Sequence, residues 1–168
     1  QAATSSSSQT AGGTSASHFV RVGTSQPDGV MKVYLRPDLR VPTSSGADED
    51  KEEVKQEEEL NGGTFVLEWT FRDPSEPSVI LDQRRAFIPD SRDGRGRKLL
   101  DRIVKAWERK LLFSVGRSLT NPDAGDNSII WSGNVHFKTE PLSNESGHGF
   151  PDDQYFERLD AELSAVNC

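Results

Sequence analysis

The chain reads as an α+β fold, in which a central helix and a C-terminal helix pack on a mostly antiparallel sheet. Three observations carry that reading. Residues 64–71 alternate strictly, with Phe65, Leu67, Trp69 and Phe71 on one face and Val66, Glu68 and Thr70 on the other, which is the period of a half-buried strand. Residues 95–110 place Leu99, Leu100, Ile103, Val104 and Trp107 on one broad face, continued by Leu111, which is helical spacing. Finally, the elements run strands, helix, strands, helix with long loops, and no internal repeat interrupts them.

Taken in order, residues 1–25 are rich in Ser, Thr, Ala, Gly and Gln and lack periodicity. This composition predicts a disordered linker, in which His18 is incidental. Gln26-Pro27-Asp28-Gly29 signals a turn and opens the domain, 26–168. Residues 30–35 follow as a strand, with Met31, Val33 and Leu35 on one face. Residues 36–45 are a proline-containing connection. Residues 47–59 hold eight acids and two lysines, a net of −6 within a chain total of −7. The acidity therefore belongs to one insert, placed at 47–60, rather than to the fold. A solvated loop is its plain reading, and an acidic docking motif is the alternative. Non-specific nucleic-acid binding is disfavoured.

After Asn61-Gly62-Gly63 and the strand at 64–71, residues 73–78 form a turn-rich loop. Two short strand-like pieces, 79–81 and 85–88, are closed by Pro89. Ser91 or Asp93 can cap the helix, with Gly96 in its first turn. Residues 111–115 read as a buried strand, 121–127 as a polar loop, and 128–137 as a further strand in which Gly133 marks a bulge. The last helix spans 152–166, with Pro151 at or just before its first turn. Tyr155, Phe156, Leu159, Leu163 and Val166 form its apolar face, and Glu162 falls at the edge of that face.

The 168 residues suit one domain plus tails. With 33% hydrophobic residues, 28% charged and a mean hydropathy of −0.66, part of the length is expected to be unfolded. No apolar run approaches the roughly 18 residues of a membrane-spanning helix. The N-terminus has neither the basic start nor the apolar core of a signal peptide. A first residue of Gln rather than Met points to a fragment or a processed chain. Cys168 is the only cysteine, which excludes a disulfide framework and a cysteine-based zinc module within this chain. It points to a cytoplasmic or nuclear setting. Walker A, GxGxxG, GxSxG and HExxH motifs are absent. Two histidines without further ligands at useful spacing argue against a metal site.

Chemistry concentrates in residues 131–152, which hold His136 and His148. Histidine has an unperturbed pKa near neutrality and suits proton transfer. His148 lies between Gly147 and Gly149, in a loop entering a helix, where free N–H groups favour phosphate. A carboxylate on Glu162 could fix its tautomer in a general-base dyad. On spacing alone, a hydrogen-bonded structural histidine and a solvated helical glutamate are the favoured reading. His136 can be a rim histidine or can line a cleft with His148. Gly116-Arg117-Ser118, at the end of a strand, suits diphosphate or ribose contacts. Residues 84–110 contain ten basic residues and four acids. These read either as a phosphate-attracting surface or as a solvated helix face, with Arg84 and Arg85 the better candidates for ligand contact.

Six stretches carry a family resemblance: QPDGVM, GGTFVLEW, RRAFIPD, AWERKLLFSVGRS, IIWSGNVHFKTE and GHGFPDDQYFERLDAEL. In this order, over most of 26–168, the chain resembles the C-terminal domain of Deltex-type ubiquitin ligases. The resemblance implies a pocket for ADP-ribose or NAD as ligand, with no cofactor required. It implies that ADP-ribose, free or on an ADP-ribosylated macromolecule, is presented so that the C-terminus of ubiquitin joins a ribose hydroxyl. In the family a neighbouring RING domain recruits the ubiquitin-conjugating enzyme. This chain has too few cysteines for a RING, so ligase activity requires one supplied elsewhere. By resemblance the catalytic histidine is His148 and its partner Glu162. The pocket is implied to be lined by Arg84, Gly116, Ser118, His136, Gly147, His148, Gly149, Phe150 and Tyr155, with Phe150 replacing a usual tyrosine. The chain also departs from the family elsewhere. A His-Pro-Asn-Pro-Gly stretch is missing near residues 73–78, the usual His-His pair is His136-Phe137, the loop after Ser118 is longer, and the acidic insert is not typical. A non-catalytic ADP-ribose reader and a degenerate interaction module are the competing expectations.

Overall fold

A computed structural model describes residues 26–42, 62–116 and 128–168. The linker at 1–25, the whole acidic insert with its flanks at 43–61, and the loop at 117–127 with Ser118 lie outside the described residues. Five strands and two helices are found among the described residues: β1 (Gly29–Arg36), β2 (Thr64–Arg72), β3 (Ile80–Pro89), α1 (Arg95–Glu108), β4 (Phe113–Gly116), β5 (Ser128–Trp131) and α2 (Tyr155–Ala165). β1, β2 and β3 form an antiparallel sheet in that order, and β4 and β5 form an antiparallel pair. The expected α+β class, with its mostly antiparallel sheet and two helices, is the one observed.

β2 is the centre of the fold. The residues of its predicted apolar face, Phe65, Leu67, Trp69 and Phe71, are all buried. Trp69 meets Phe113 on β4, Trp131 at the end of β5, and Phe137 beyond it, with ring centroids 5.4–5.5 Å apart. Trp107 of α1 reaches the same cluster through Phe71 and Phe113. Offset and edge-on ring packing of this kind adds to the area each ring buries. Leu99, Ile103 and Ala106 of α1 and Tyr155, Leu159 and Leu163 of α2 complete the core. Burial at spacings of three and four residues is what the helical pattern requires.

Five local expectations are corrected. The two short pieces at 79–81 and 85–88 are one strand, β3, because β2 supplies a continuous partner; a register shift at Phe71/Arg72 absorbs the irregularity. The Met31, Val33, Leu35 face of β1 is only partly covered, with Val33 38% and Leu35 36% exposed, because β1 is an edge strand. β5 stops at Trp131 rather than Phe137. Gly133 takes φ 77° in a turn, a conformation that disfavours any side chain, so it is a corner and not a bulge. The last helix begins at Tyr155 instead of residue 152. The N-cap of α1 is Gly94, at φ 73°, and not Ser91 or Asp93; those two side chains still accept from the first turn, the Arg95 amide donating to Asp93 Oδ1 at 2.9 Å and the Gly96 amide to Ser91 Oγ at 3.0 Å.

After the corner, the chain returns as an extended segment beside β3. The Phe87 amide donates to the Lys138 carbonyl at 3.0 Å. The adjacent rung is made by a side chain. The Lys138 amide donates to the Tyr155 hydroxyl, and that hydroxyl donates to the Phe87 carbonyl, both at 3.1 Å. Tyr155 is 2% exposed, and burial pushes its pKa upward, keeping the phenol a neutral donor. Removing this hydroxyl would strand a buried N–H and a buried C=O. Tyr155→Phe is therefore expected to cost about 1–3 kcal/mol, measured as a lower urea midpoint at unchanged m-value.

Candidate functional site

The extended segment after the corner sorts its side chains by alternation. Val135 and Phe137 are buried in the core, and Phe137 packs on Trp69 and Trp131. His136 consequently points the other way, with its side chain 67% exposed. The phase of α2 brings Glu162 to it. Leu159 and Leu163 are fully buried, and Glu162, one residue before Leu163, sits at the margin with 18% of its side chain exposed. Glu162 Oε2 accepts the His136 backbone N–H at 2.9 Å, and Glu162 Oε1 lies 2.7 Å from His136 Nδ1. A carboxylate only accepts, so this pairing assigns the proton to Nδ1 and leaves Nε2 as the acceptor. The result is an oriented imidazole with its basic nitrogen facing solvent.

His148 is held differently. Its carbonyl accepts the amides of Thr139 and Glu140 at 2.8 and 3.1 Å, and its own amide donates to Ser146 Oγ. The Gly147–Gly149 loop thus lies against the segment that carries His136. Among the described residues, no hydrogen bond joins the His148 ring to Glu162. Glu162, expected beside His148, is paired with the ring and the backbone N–H of His136. The two flanking glycines serve the loop's own geometry. Gly147 has φ 78°, and a Cβ on Gly149 would overlap the Ser143 carbonyl oxygen.

Beneath the loop lies Lys138, only 5% exposed. Its Nζ donates to Asp152 Oδ2 at 2.8 Å, the Gly147 carbonyl at 3.0 Å and Asn144 Oδ1 at 3.4 Å. Asn144 Oδ1 also accepts the Gly149 amide, while Asn144 Nδ2 donates to the Pro151 carbonyl. Asp152 Oδ2 takes a second cation, Arg158, at 2.8 Å. Sequence reading missed Lys138, Asn144 and Asp152. The available signal was a lysine two residues after His136 together with Asn and Asp bracketing a glycine loop.

The remaining expected residues have varied positions. Arg84 Nε and Nη2 contact Asp82, and Nη2 also donates to the Ile129 carbonyl at 2.9 Å, joining β3 to β5. Arg85 is engaged across the sheet by Glu68 at 2.6 Å. Gly116 ends β4 opposite Ser128. Phe150 and Tyr155 are each 2% exposed and meet edge to face at 5.5 Å. They therefore support the loop from the core and present no open ring face. Several basic residues of 84–110 are neutralised in place: Arg95 by Asp93 and Glu157, Arg97 by Asp90, and Arg102 by Asp160. Among the described residues, no helix is long and apolar enough to cross a membrane.

Two measurements test this geometry. Nitrogen-15 NMR of the imidazoles is expected to show His136 in the Nδ1–H form, with Glu162→Gln shifting it toward the Nε2–H form. Burial opposes ionisation of Asp152, but hydrogen bonds from Arg158 and Lys138 outweigh it and hold the carboxyl below its ordinary range. Its folded value lies below its unfolded one, so its stabilisation is present above the ordinary carboxylate range and is lost as pH falls through the folded value. The stability gap between wild type and Asp152→Asn in urea titrations should be open at pH 7 and close on acidification.

The model of the family described as "DTC: Deltex C-terminal domain" matches residues 23–167. The chain is 43% identical over 82 residues to E3 ubiquitin-protein ligase DTX4 of Mus musculus, covering 49% of this chain and 12% of that protein. It is 39% identical over 82 residues to E3 ubiquitin-protein ligase DTX1 of Homo sapiens, with the same coverage of 49% and 12%. With Probable E3 ubiquitin-protein ligase DTX3 of Homo sapiens it shares 34% identity over 111 residues, covering 61% of this chain and 30% of that protein. The aligned stretches thus span a minor part of each relative. Because the family model extends over nearly all of the chain, including every described strand and helix, the chain belongs to the Deltex C-terminal domain family.

Proposed function

We propose that this chain is the ADP-ribose- or NAD-binding part of a Deltex-type ubiquitin ligase, and that it presents ADP-ribose for ubiquitin attachment to a ribose hydroxyl. The observation that carries this reading is the His136–Glu162 pair. It holds an exposed imidazole with an acceptor nitrogen outward, beside a glycine loop bearing a second histidine. An imidazole oriented by a carboxylate is the arrangement that general-base catalysis uses.

In this proposal His136 Nε2 takes the proton from the ribose hydroxyl, and Glu162 stabilises the imidazolium that forms. The hydroxyl oxygen attacks the activated C-terminal carbonyl of ubiquitin. The bond from that carbonyl to the conjugating enzyme breaks, and an ester bond to the ribose replaces it. His148 faces the ligand from the loop. Resemblance alone assigned the base to His148; the pairing of Glu162 favours His136. Gly116 contributes to the ligand-binding wall, with Gly147 and Gly149 shaping the loop, Phe150 and Tyr155 backing it, and Arg84 bracing β3 against β5. Ubiquitin and its conjugating enzyme are reached through a RING supplied outside this chain.

Calorimetric titration with ADP-ribose and NAD tests binding. Wild type is expected to bind, and Ser118→Phe and His136→Ala to lose affinity. Absence of binding by the wild type would leave only an interaction module. A reconstituted transfer assay with an added RING then assigns the base. Loss of general-base assistance typically costs about 10²–10⁴-fold in rate. A loss of that size in both His136→Gln and Glu162→Gln, at preserved ADP-ribose affinity, supports the dyad. Loss confined to His148→Ala returns the base to that histidine. Binding with no transfer by wild type means a reader.

A further inference from the structure

We propose that Lys138 is a positioning residue, a buried ammonium clamp that sets the Gly147–Gly149 loop, which carries His148, against the segment that carries His136. The inference rests on the ligand-binding reading above and adds a residue to it.

An ammonium has three N–H donors, and Lys138 has three acceptors to fill them: Asp152, the Gly147 carbonyl and Asn144. Asn144 passes the constraint to the Gly149 amide. One cation therefore grips both residues that flank His148. Burying an ammonium is costly unless it is paired and fully hydrogen-bonded. A packed apolar side chain would fill the same space without that cost, but it could not hold the Gly147 carbonyl. Asp152 anchors the clamp and is itself held from α2 by Arg158. Lys138 lies two residues beyond His136 on the same extended segment, whose backbone is fixed to β3 by Phe87 and Tyr155. His136 and the anchor of the His148 loop are consequently set by one short, rigid piece of chain. Loops position ligand groups only as well as their supporting contacts allow.

The test uses the full chain, wild type and Lys138→Met, with ADP-ribose as the probe. Calorimetry is paired with backbone and imidazole NMR of the free protein. Affinity is expected to fall on the order of tenfold, the equivalent of one well-placed contact. The Gly147, His148 and Gly149 amides should shift and broaden by exchange, while the Nδ1–H signature of His136 stays unchanged. A general structural loss would move both sets. Wild-type affinity in Lys138→Met overturns the proposal. If wild type itself does not bind ADP-ribose, the functional reading falls and the clamp is judged by NMR alone. Unchanged 147–149 amides then overturn it, and a selective change supports it. Should Lys138→Met not fold, Asp152→Asn keeps the shape of the anchor and carries the same test, with a severalfold loss of affinity expected.

Discussion

The Tyr155 hydroxyl occupies a place where a backbone rung would ordinarily stand. It accepts from the Lys138 amide and donates to the Phe87 carbonyl within the core. Strand pairing is otherwise interrupted at the Gly133 corner, and a buried backbone group without a partner is costly. The first residue of α2 therefore completes the edge of β3. This contact fixes three things together: the start of α2, the line of the segment after Trp131, and the alternation that turns Phe137 inward and His136 outward. Position 137 is a phenylalanine buried against Trp69 and Trp131.

Charge is handled by local neutralisation. The many arginines around α1 do not form a free cationic surface. Arg95 bridges to Glu157 and Arg102 to Asp160, so the two helices are tied at their exposed margin. Exposed pairs of this kind contribute little each, and the helices are held chiefly by their buried faces. Lys138 and Asp152 differ, since both are largely withdrawn from water. Breaking a pair of that kind costs more than forming it gains.

The two histidines are thus held by different means. His136 is oriented through its ring and its backbone amide by one carboxylate. His148 is held through its backbone alone, leaving its ring free of protein hydrogen bonds among the described residues.

The α+β class, the β2 face and the α1 stripe were legible in the sequence because alternation and helical spacing are local properties. The same is true of the contacts that Ser91 and Asp93 make with the first turn of α1, whose partners lie within five positions. Helical phase alone placed Glu162 at the margin of the buried face. Phase fixes a direction and leaves the partner open, so the resemblance suggested His148, 14 positions away, while the fold supplied His136, 26 positions away. Alternation likewise put Lys138 on the outer side with His136. Only the fold laid the 144–152 loop over it and turned a surface lysine into a buried clamp. Sequence determined which face each side chain takes. Tertiary structure decided what covers that face, because the turn at Gly133 and the Tyr155 bridge act between segments that local periodicity does not connect.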